Sequence, residues 1–228
     1  MATGSGRLFI VGTPIGNLED ITLRALRVLR EADLIAAEDT RHAGVLLARY
    51  EIRKPLVSYH EFNEAKRTAE LTEKLQQGQC IALVSDAGMP TVSDPGLRLI
   101  RAALAANVRI EIVPGPSALT TALAGCGLPT EPFVFHGFLP HKGAQRRKLL
   151  AELAPLPFTL VFYESPYRLQ KSLADMCDIL GNRQAVIGRE LTKKFEEFLR
   201  GDLETLRNRL ENRAVKGEIT VLVEGHAQ

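Results

Sequence analysis

Short apolar runs alternate with amphipathic helical segments along most of the chain, and this alternation limits the folds that are open to it. Runs such as residues 8–11, 34–37 and 81–84 are almost continuously apolar, which is typical of strands that are buried on both faces of a sheet. Strands that alternate with helices usually form parallel sheets covered by those helices. The pattern therefore predicts an α/β protein.

The predicted elements follow the same logic in both halves of the chain. Strands are predicted at residues 8–11, 34–37, 56–59, 81–84, 109–113, 133–138, 159–163, 185–188 and 219–223. Helices are predicted over about 20–31, around Leu71 and Leu75, near 146–153, along Leu169, Leu173, Met176 and Leu180, and along Leu203, Leu206 and Leu210. Residues 37–42 and 188–193 are predicted to be loops that follow strands.

A stretch rich in Gly, Pro and small residues, 114–132, separates the two halves. It is predicted to contain a short helix over about 116–126, so we place the domain boundary there, with an N-terminal α/β domain at 1–115 and a C-terminal α/β domain at 116–228. A boundary helix holds two domains at a fixed angle. We therefore expect a cleft between them, and ligand pockets favour such clefts.

Composition excludes several classes of protein. The 29 basic residues oppose 27 acidic ones, so any nucleic-acid surface must be local and not a general positive charge. Three scattered cysteines form no CxxC motif and predict neither a disulfide framework nor a zinc site. No apolar stretch approaches the roughly 20 residues of a membrane span, and the first residues lack the apolar core of a signal peptide. We expect a cytoplasmic protein with no membrane partner.

The loop SDAGMPTVSDPG, residues 85–96, stands between an apolar strand and an amphipathic helix. A simple strand-to-helix turn needs only about 2–6 residues, and this loop is longer. It lies at the carboxyl end of a strand, where open α/β sheets bind ligands. Asp94 and Pro95 occupy the positions expected of a helix N-cap and a first helical residue.

Similar polar loops follow other predicted strands, at residues 12–17, 37–42, 114–118, 163–168 and 188–193. They offer carbonyls, hydroxyls and carboxylates, which suit a ligand with positive charge and hydroxyl groups. The glycines of residues 12–16 match neither a dinucleotide-binding motif nor a P-loop. The alternative is that these polar groups only cap helices.

A basic segment at residues 141–148 contains Lys142, Arg146, Arg147 and Lys148, and Lys193, Lys194 and Arg200 form a second basic group. These groups could bind phosphates locally, although a charge run is more often a solvated helix face. Aromatic residues make up only 6% of the chain, with no tryptophan. If RNA binds, we expect recognition by shape and backbone contacts more than by stacking.

The loop sequences together resemble a known family. TPIGNLEDITLRAL, AEDTR, SDAGMPTVSDPG, PGPSALTTAL, GFLP, FYESPYRL and RELTK occur in the order typical of the ribosomal RNA small subunit methyltransferase I family, a branch of the tetrapyrrole-methylase-like superfamily. The resemblance spans about residues 7–225. It implies S-adenosyl-L-methionine-dependent methylation of the ribose 2′-hydroxyl of a cytidine in the decoding region of 16S ribosomal RNA. It also implies a two-domain methyltransferase fold, often homodimeric, whose partner is the small ribosomal subunit.

The resemblance also carries over residue roles. It assigns the cofactor pocket to Pro14, Ile15, Asp86, Ala87, Gly88, Met89, Ser117, Ala118, Tyr163, Leu191 and Ile219. A ribose hydroxyl is a weak acid, so some group must take its proton. The candidates are Asp39, Glu164, Glu190 and Lys193, the last only if its pKa is depressed. Arg41 and Arg189 could hold the phosphate beside the target ribose, and no metal is expected.

Two alternatives remain open at this point. A corrin-type small-molecule methyltransferase would share the fold and the cofactor but would not need a basic patch. A non-enzymatic ribosome-assembly factor would bind RNA but would leave the cofactor loops without a purpose.

Overall fold

The computed structural model describes residues 6–211 and 213–226, and the chain divides into two compact units. Unit 1 is Met1–Ser117 and unit 2 is Ala118–Gln228. Each unit is built around its own five-stranded sheet. The chain is an α/β protein, as predicted.

Unit 1 contains an all-parallel sheet in the strand order β3-β2-β4-β1-β5. Its strands are β1 Arg7–Val11, β2 Leu34–Ala37, β3 Leu56–Ser58, β4 Cys80–Val84 and β5 Arg109–Val113. The predicted strands and the parallel arrangement of this half are confirmed. All five carboxyl ends therefore lie at one edge of the sheet.

Helices cover both faces of this sheet. They are α1 Leu23–Glu31, α2 Thr40–Arg49, α3 Glu64–Gln76 and α4 Leu97–Ala105. Strand residues alternate between two buried clusters, so Phe9 joins the cluster under α1 and α2 while Leu8 joins the one under α3 and α4. The near-continuous apolar strands of the sequence are explained by this two-sided burial.

Helix α2 begins inside the segment that was predicted to be a loop. The Asp39 side chain caps the helix by accepting a hydrogen bond from the Arg41 backbone N–H at 2.8 Å. The buried face of α2 consists of Ala43, Leu46 and Leu47. The prediction missed α2 because only the polar residues before this apolar stripe were taken into account.

The predicted N-cap at Asp94 is wrong. Helix α4 starts two residues later, with Gly96 at its N-cap and a φ of 138° that L side chains rarely adopt. A Cβ atom at Gly96 would lie 2.8 Å from side-chain atoms of Leu83 and Thr91. Asp94 hydrogen-bonds the Ser85 side chain and so does not cap the helix.

Unit 2 begins with α5 Ala118–Cys126 and contains a mixed sheet in the order β6-β7-β10-β8-β9. Its strands are β6 Phe133–Phe138, β7 Thr159–Glu164, β8 Gln184–Arg189, β9 Glu197–Asp202 and β10 Ile219–Val223. The prediction that this half repeats the parallel arrangement is wrong, because β10 is antiparallel to both of its neighbours. Strand β9, antiparallel to β8, was not predicted.

Strand direction still brings several predicted loops together in unit 2. Since β10 runs antiparallel to both β7 and β8, these two strands run in the same direction, and β6 is parallel to β7. The segments after β6, β7 and β8 therefore leave the same edge of the sheet.

The helices of unit 2 pack on this sheet through regularly spaced leucines. They are α6 Gly143–Leu153, α7 Leu169–Leu180 and α8 Leu203–Leu210. Their buried residues include Leu150, Leu173 and Leu206, which share one core cluster with Phe162 and Val221 of the sheet. In the described part of the chain, no helix is long and apolar enough to cross a bilayer.

Candidate active site

The loops after β1, β4 and β5 meet at the carboxyl edge of the unit 1 sheet. The backbones of Gly12 and Gly115 approach so closely that a Cβ atom on Gly12 would lie 2.8 Å from the Gly115 Cα. The same atom would lie 2.7 Å from the Met89 Sδ. Glycine at position 12 is therefore required by the close approach of three loops.

A pair of backbone hydrogen bonds locks the first of these loops to the second. The Thr13 N–H donates to the Gly88 carbonyl at 2.9 Å, and the Gly88 N–H donates to the Thr13 carbonyl at 3.1 Å. The Thr13 hydroxyl also donates to the Ser85 carbonyl at 3.2 Å. These bonds bring together the predicted cofactor residues of unit 1, namely Pro14, Ile15, Asp86, Ala87, Gly88 and Met89, near the segment that ends at Ser117.

Asp86 connects this loop to the start of α2. Its carboxylate accepts a hydrogen bond from the Asp39 backbone N–H at 2.9 Å and lies 3.3 Å from the His42 Nδ1. The Asp86 N–H donates to the Glu38 Oε2 at 3.4 Å. Asp86 also lines a cavity of about 80 Å³ together with Thr13, Pro14, Ser85 and other residues of unit 1. Asp86 therefore places a carboxylate among the loops that were assigned to the cofactor.

Asp39 is poorly suited to accept a proton. The Arg41 side chain donates to both carboxylate oxygens of Asp39, and with the Arg41 backbone N–H it holds the pKa of that carboxyl well below its usual range. Arg41 itself is 88% exposed in its side chain, but its guanidinium already pairs with Asp39. The two predicted residues thus form an ion pair at the start of α2.

Two carboxyls that the sequence analysis did not propose have raised pKa values. Burial, and next the charge of Asp86, raises the pKa of Glu38, which directly follows β2. Burial, and next the charge of Glu38, raises the pKa of Asp94 to about 7. Asp94 is a carboxyl poised to gain or lose a proton near neutral pH. Its place in the SDPG sequence was the signal, but it was interpreted as a cap.

Glu164 is fully enclosed in unit 2. The Ser172 hydroxyl donates to its Oε2 at 2.5 Å, the Ser165 N–H donates to its Oε1 at 2.8 Å, and the Arg168 Nε lies 3.4 Å from Oε1. Both oxygens therefore have partners within the protein. The structure gives Glu164 a role in fixing the turn after β7 and does not support it as a proton acceptor.

Lys193 does not meet the condition under which it could act as a base. Burial opposes its positive charge, but hydrogen bonds to Glu190 and Glu218, at 2.9 and 3.0 Å, outweigh burial and raise the pKa of the ammonium group. The Glu190 carboxylate also accepts the Glu218 N–H, and although burial opposes its charge these partners lower its pKa. Both groups stay charged at neutral pH.

Arg189 uses its guanidinium within the protein. It donates to the Glu197 carboxylate at 3.1 Å and to the carbonyls of Lys216 and Phe195, each at 3.2 Å. The structure therefore does not support Arg189 as a phosphate-binding residue.

Three of the predicted cofactor residues of unit 2, Tyr163, Leu191 and Ile219, lie at or just beyond one edge of its sheet. In the strand register Ile219 is opposite both Glu164 and Arg189, so the ends of β7 and β8 flank the start of β10. Tyr163 is the next residue inward on β7 and packs edge-on against Phe135 and Phe138. Leu191 is buried just after β8, and Ala118 is the first residue of α5.

The predicted RNA-binding segment divides into two kinds of residue. Arg146 is only 7% exposed in its side chain and pairs with Asp175 at 2.6 Å. Arg147 pairs with Asp175 and Asp178, and these hydrogen bonds raise its pKa. The structure does not support Arg146 as an RNA contact, since it joins α6 to α7. Lys142 and Lys148 are exposed.

Residues 7–207 match the family model described as Tetrapyrrole (Corrin/Porphyrin) Methylases. The chain belongs to this methylase family. Ribosomal RNA small subunit methyltransferase I of Halalkalibacterium halodurans is 52% identical over 223 residues, covering 98% of this chain and 77% of the relative. The protein of the same name from Thermotoga maritima is 50% identical over 220 residues, covering 96% of this chain and 99% of the relative.

Solved structures of tetrapyrrole methylases and their relatives share the fold. Uroporphyrin-III-C-methyltransferase from Thermus thermophilus is 25% identical and superposes with a TM-score of 0.67 over 95% of this chain and 94% of that chain. Diphthine synthase is 16% identical, with a TM-score of 0.71 over 97% of this chain and 90% of that chain. The second likeness concerns the fold alone.

Methylases of this family take their methyl group from S-adenosylmethionine, and the unit 1 loops fit such a ligand. The sulfonium and ammonium groups of S-adenosylmethionine are cationic. The segments 12–17, 85–96 and 114–117 supply carbonyls, hydroxyls and the Asp86 carboxylate, and they contain no lysine or arginine. Among residues 6–211 and 213–226, no group of three or more His, Cys, Asp or Glu side chains is arranged to hold a metal ion.

Proposed function

We propose that the chain is an S-adenosylmethionine-dependent methyltransferase that acts on the ribose 2′-hydroxyl of a cytidine in the decoding region of 16S ribosomal RNA. The observation that carries this proposal is the joining of the loops after β1, β4 and β5 around Asp86, in a chain about half identical to relatives named for small-subunit ribosomal RNA methylation.

We propose that the donor is held by the residues that the family resemblance assigned to it. In unit 1, Asp86 supplies the negative charge, and Pro14, Ile15 and Ala87–Met89 supply a close-packed backbone surface. We assign Ser117 and Ala118 to the adenosine, and the assignment of Tyr163, Leu191 and Ile219 to the same ligand rests on the family resemblance alone. Donors and acceptors fixed by strand ends are well suited to precise positioning.

When bound, S-adenosylmethionine supplies an electrophilic methyl carbon on a sulfonium, and the electron pair of the carbon–sulfur bond stays on sulfur as the methyl group leaves. The protein's contribution to such a displacement is mainly to hold the ribose oxygen in near-attack geometry. The ion-paired Asp39 and Lys193 stay charged, and they position neighbouring backbone without taking the hydroxyl proton.

RNA binding in this proposal involves exposed cations on unit 2. Lys142 and Lys148 are exposed and are proposed to meet phosphates, whereas Arg146 and Arg147 are engaged by α7. Because the net charge is only +2, we propose that the substrate is the assembled small subunit in the cytoplasm, whose shape adds to these few contacts. We further propose a homodimer.

The experiment that tests this function compares purified small ribosomal subunits lacking the modification with and without the protein and S-adenosylmethionine. Mass spectrometry of nuclease fragments should then show one new ribose methylation, at a cytidine of the decoding region. Assembled subunits should be modified faster than naked 16S ribosomal RNA. Absence of any RNA methylation would contradict the proposal.

The second candidate function is methylation of a free tetrapyrrole. It is favoured by the family model and by the 25% identity to uroporphyrin-III-C-methyltransferase. Incubation with S-adenosylmethionine and uroporphyrinogen III distinguishes the two candidates, since methylated tetrapyrrole would appear only if this function is correct.

A further inference from the structure

A pocket of about 280 Å³ opens in unit 2 beside the loop that follows β8. One wall is that loop, with Arg189, Glu190 and Phe195, and the other is the segment that leads towards β10, residues 213–216. The volume is close to that of the smallest pockets that hold small organic ligands, about 300 Å³. Neither Phe195 nor residues 213–216 belong to the proposed cofactor site.

The guanidinium of Arg189 joins the two walls. It donates to the Phe195 carbonyl on one side and to the Lys216 carbonyl on the other, each at 3.2 Å, and its side chain is only 16% exposed. The turn that carries Phe195 is closed by a hydrogen bond from the Glu196 N–H to the Lys193 carbonyl at 3.0 Å. Both walls are therefore held in place by hydrogen bonds within the protein.

Phe195 presents its ring to solvent from this fixed loop. The residue is 65% exposed although it lines the pocket, so the ring is accessible from outside. The Lys194 ammonium group lies 5.7 Å from the centre of the ring. Proteins hold single-stranded nucleic acid with this combination, in which a base stacks on an aromatic ring and cations follow the backbone.

The wall opposite Phe195 carries positive charge. Lys216 is exposed and forms an ion pair with no described residue. The Glu197 carboxylate is shared between the guanidiniums of Arg189 and Arg213, at 3.1 and 2.8 Å, so this cluster has one positive charge in surplus. The one carboxylate among the described lining residues, that of Glu190, already has an ammonium partner at 2.9 Å. The pocket therefore offers a cation for a phosphate.

The same loop leads back to a residue assigned to the cofactor. Leu191, which the family resemblance assigned to S-adenosylmethionine, is buried four residues before Phe195. Four residues span at most about 14 Å. With Leu191 against the methyl donor, a base on Phe195 is close to the reacting ribose and belongs to a nucleotide beside the target.

We propose that this pocket receives a nucleotide that flanks the target cytidine, with its base stacked on Phe195 and its phosphate at Lys216. This inference rests on the proposed function. The base is held by its face, so the pocket fixes the path of the RNA chain and does not select among bases. No bond is made or broken in the pocket.

Phe195→Ala and Phe195→Tyr test the stacking, because the first variant loses the ring and the second keeps it. Filter binding of a decoding-region RNA fragment should show affinity about 5- to 150-fold weaker for Phe195→Ala, the range for loss of one stacked base. Phe195→Tyr should bind RNA like the wild type. Calorimetry should show unchanged S-adenosylmethionine binding in both, and a loss of cofactor affinity would place the ring in the cofactor site and overturn the proposal.

Removal of single bases from the RNA identifies the stacked nucleotide. In a set of fragments that each contain one abasic position, we expect one flanking position at which loss of the base weakens binding to the wild type but not to Phe195→Ala. Such non-additivity is the signature of a direct contact between the base and the ring. The absence of any such position, or coupling at the target cytidine alone, would overturn the assignment.

Lys216→Gln tests the phosphate contact. It should reduce the slope of log RNA affinity against log salt by about 0.7 to 0.9, since one phosphate contact is lost. Arg49→Gln is the matched control, because Arg49 is an exposed cation at the far end of α2 in unit 1. An unchanged slope for Lys216→Gln, or an equal decrease for Arg49→Gln, would contradict the assignment.

Phe133→Ala is the matched control for the ring. Phe133 is 40% exposed at the start of β6, which lies at the opposite edge of the unit 2 sheet from the loop after β8. We expect its RNA affinity to equal that of the wild type. A loss as large as that of Phe195→Ala would show that the effect does not come from the pocket.

A second copy of the chain is the other class of partner that could cover an exposed aromatic ring. Sedimentation of Phe195→Ala without RNA should show the same oligomeric state as the wild type. A changed oligomeric state with unchanged RNA affinity would place Phe195 in a contact between copies and would overturn the assignment to RNA.

Failure of the inference and failure of the proposed function have different signatures. If the wild-type protein methylates RNA and the Phe195 and Lys216 variants bind RNA like it, only the pocket assignment fails. If the wild-type protein methylates no RNA, the proposed function itself fails.

Discussion

Single carboxylates at the edge of the unit 1 sheet differ sharply in their surroundings. Asp39 is held ionised by Arg41, Asp86 accepts a backbone N–H, and Asp94 is raised to a pKa of about 7 by burial and by the charge of Glu38. Carboxyls whose pKa values are shifted in opposite directions, as those of Asp39 and Asp94 are, can take different roles in one reaction. We therefore expect Asp39 to stay ionised and Asp94 to gain and lose a proton near neutral pH.

Asp86 can be tested by two substitutions that separate charge from hydrogen bonding. Asp86→Asn keeps an oxygen for the Asp39 N–H but loses the negative charge, and Asp86→Ala loses both. We expect calorimetry to show weaker S-adenosylmethionine binding in both, with only Asp86→Ala also lowering thermal stability. A cofactor affinity equal to that of the wild type in Asp86→Asn would show that the charge is not needed.

Asp94 should also make stability depend on pH. Its folded-state pKa of about 7 lies above the ordinary value of 3.8, so the folded protein keeps a proton that the unfolded chain has lost. The free energy of unfolding should therefore fall as the pH rises from about 4 to about 7. Urea titrations should show a smaller fall for Asp94→Asn, with a remainder from Glu38, and an equal fall in both proteins would contradict the raised pKa.

The close contact of the loops after β1 and β5 depends on glycine. A Cβ on Gly12 would meet the Gly115 backbone at 2.8 Å, whereas a Cβ on Gly44 in α2 would meet nothing within 4 Å outside its own helix. Unit 1 therefore contains one glycine that has no room for a side chain and another that has open space around it. The first is required by a contact between loops, and the second only weakens a helix.

Gly12→Ala and Gly44→Ala form a matched pair. We expect Gly12→Ala to separate the loops and to destabilise the protein by about 1–3 kcal/mol, with a large loss of S-adenosylmethionine affinity. Gly44→Ala should stabilise it by about 0.5–1 kcal/mol, with unchanged affinity. Urea unfolding and calorimetry measure both effects. A Gly12→Ala variant that binds the cofactor normally would contradict the proposed packing of the pocket.

The sequence predicted the strands well, because burial on both faces leaves a local apolar run such as β2 Leu34–Ala37. It did not predict that β10 is antiparallel, since an apolar run carries no information about direction. The burial of Arg146 depends on Asp175, 29 residues away, which no local pattern reveals.

The candidate loops of unit 1 could be predicted from the sequence because they follow predicted strands. The protonation states of Asp39 and Lys193 could not be predicted, because they are set by ion pairs that only the folded structure shows.

A chain with a net charge of +2 must bind a polyanion through a few local cations. In unit 2, Arg146 and Arg147 form ion pairs with α7, which leaves Lys142 and Lys148 as the exposed cations of the predicted segment that pair with no described carboxylate. This distribution predicts moderate affinity for naked RNA and dependence on the shape of the assembled subunit.

A Lys142→Gln/Lys148→Gln double variant tests this distribution. We expect the slope of log RNA affinity against log salt to fall by about 1.4–1.8, since two phosphate contacts are lost. Cofactor binding and stability should not change, because both side chains are exposed. An unchanged salt slope would remove these lysines from the RNA surface.

The position of β10 has a consequence for synthesis on the ribosome. The last strand in sequence order pairs with both β7 and β8, and these two strands do not pair with each other. While the chain is still being translated, β7 and β8 each keep one unpaired edge, and the apolar residues that pack with Val221 and Val223 lack those two partners. Unit 1 already holds all five of its strands by residue 113, so it can fold while unit 2 still waits for its central strand.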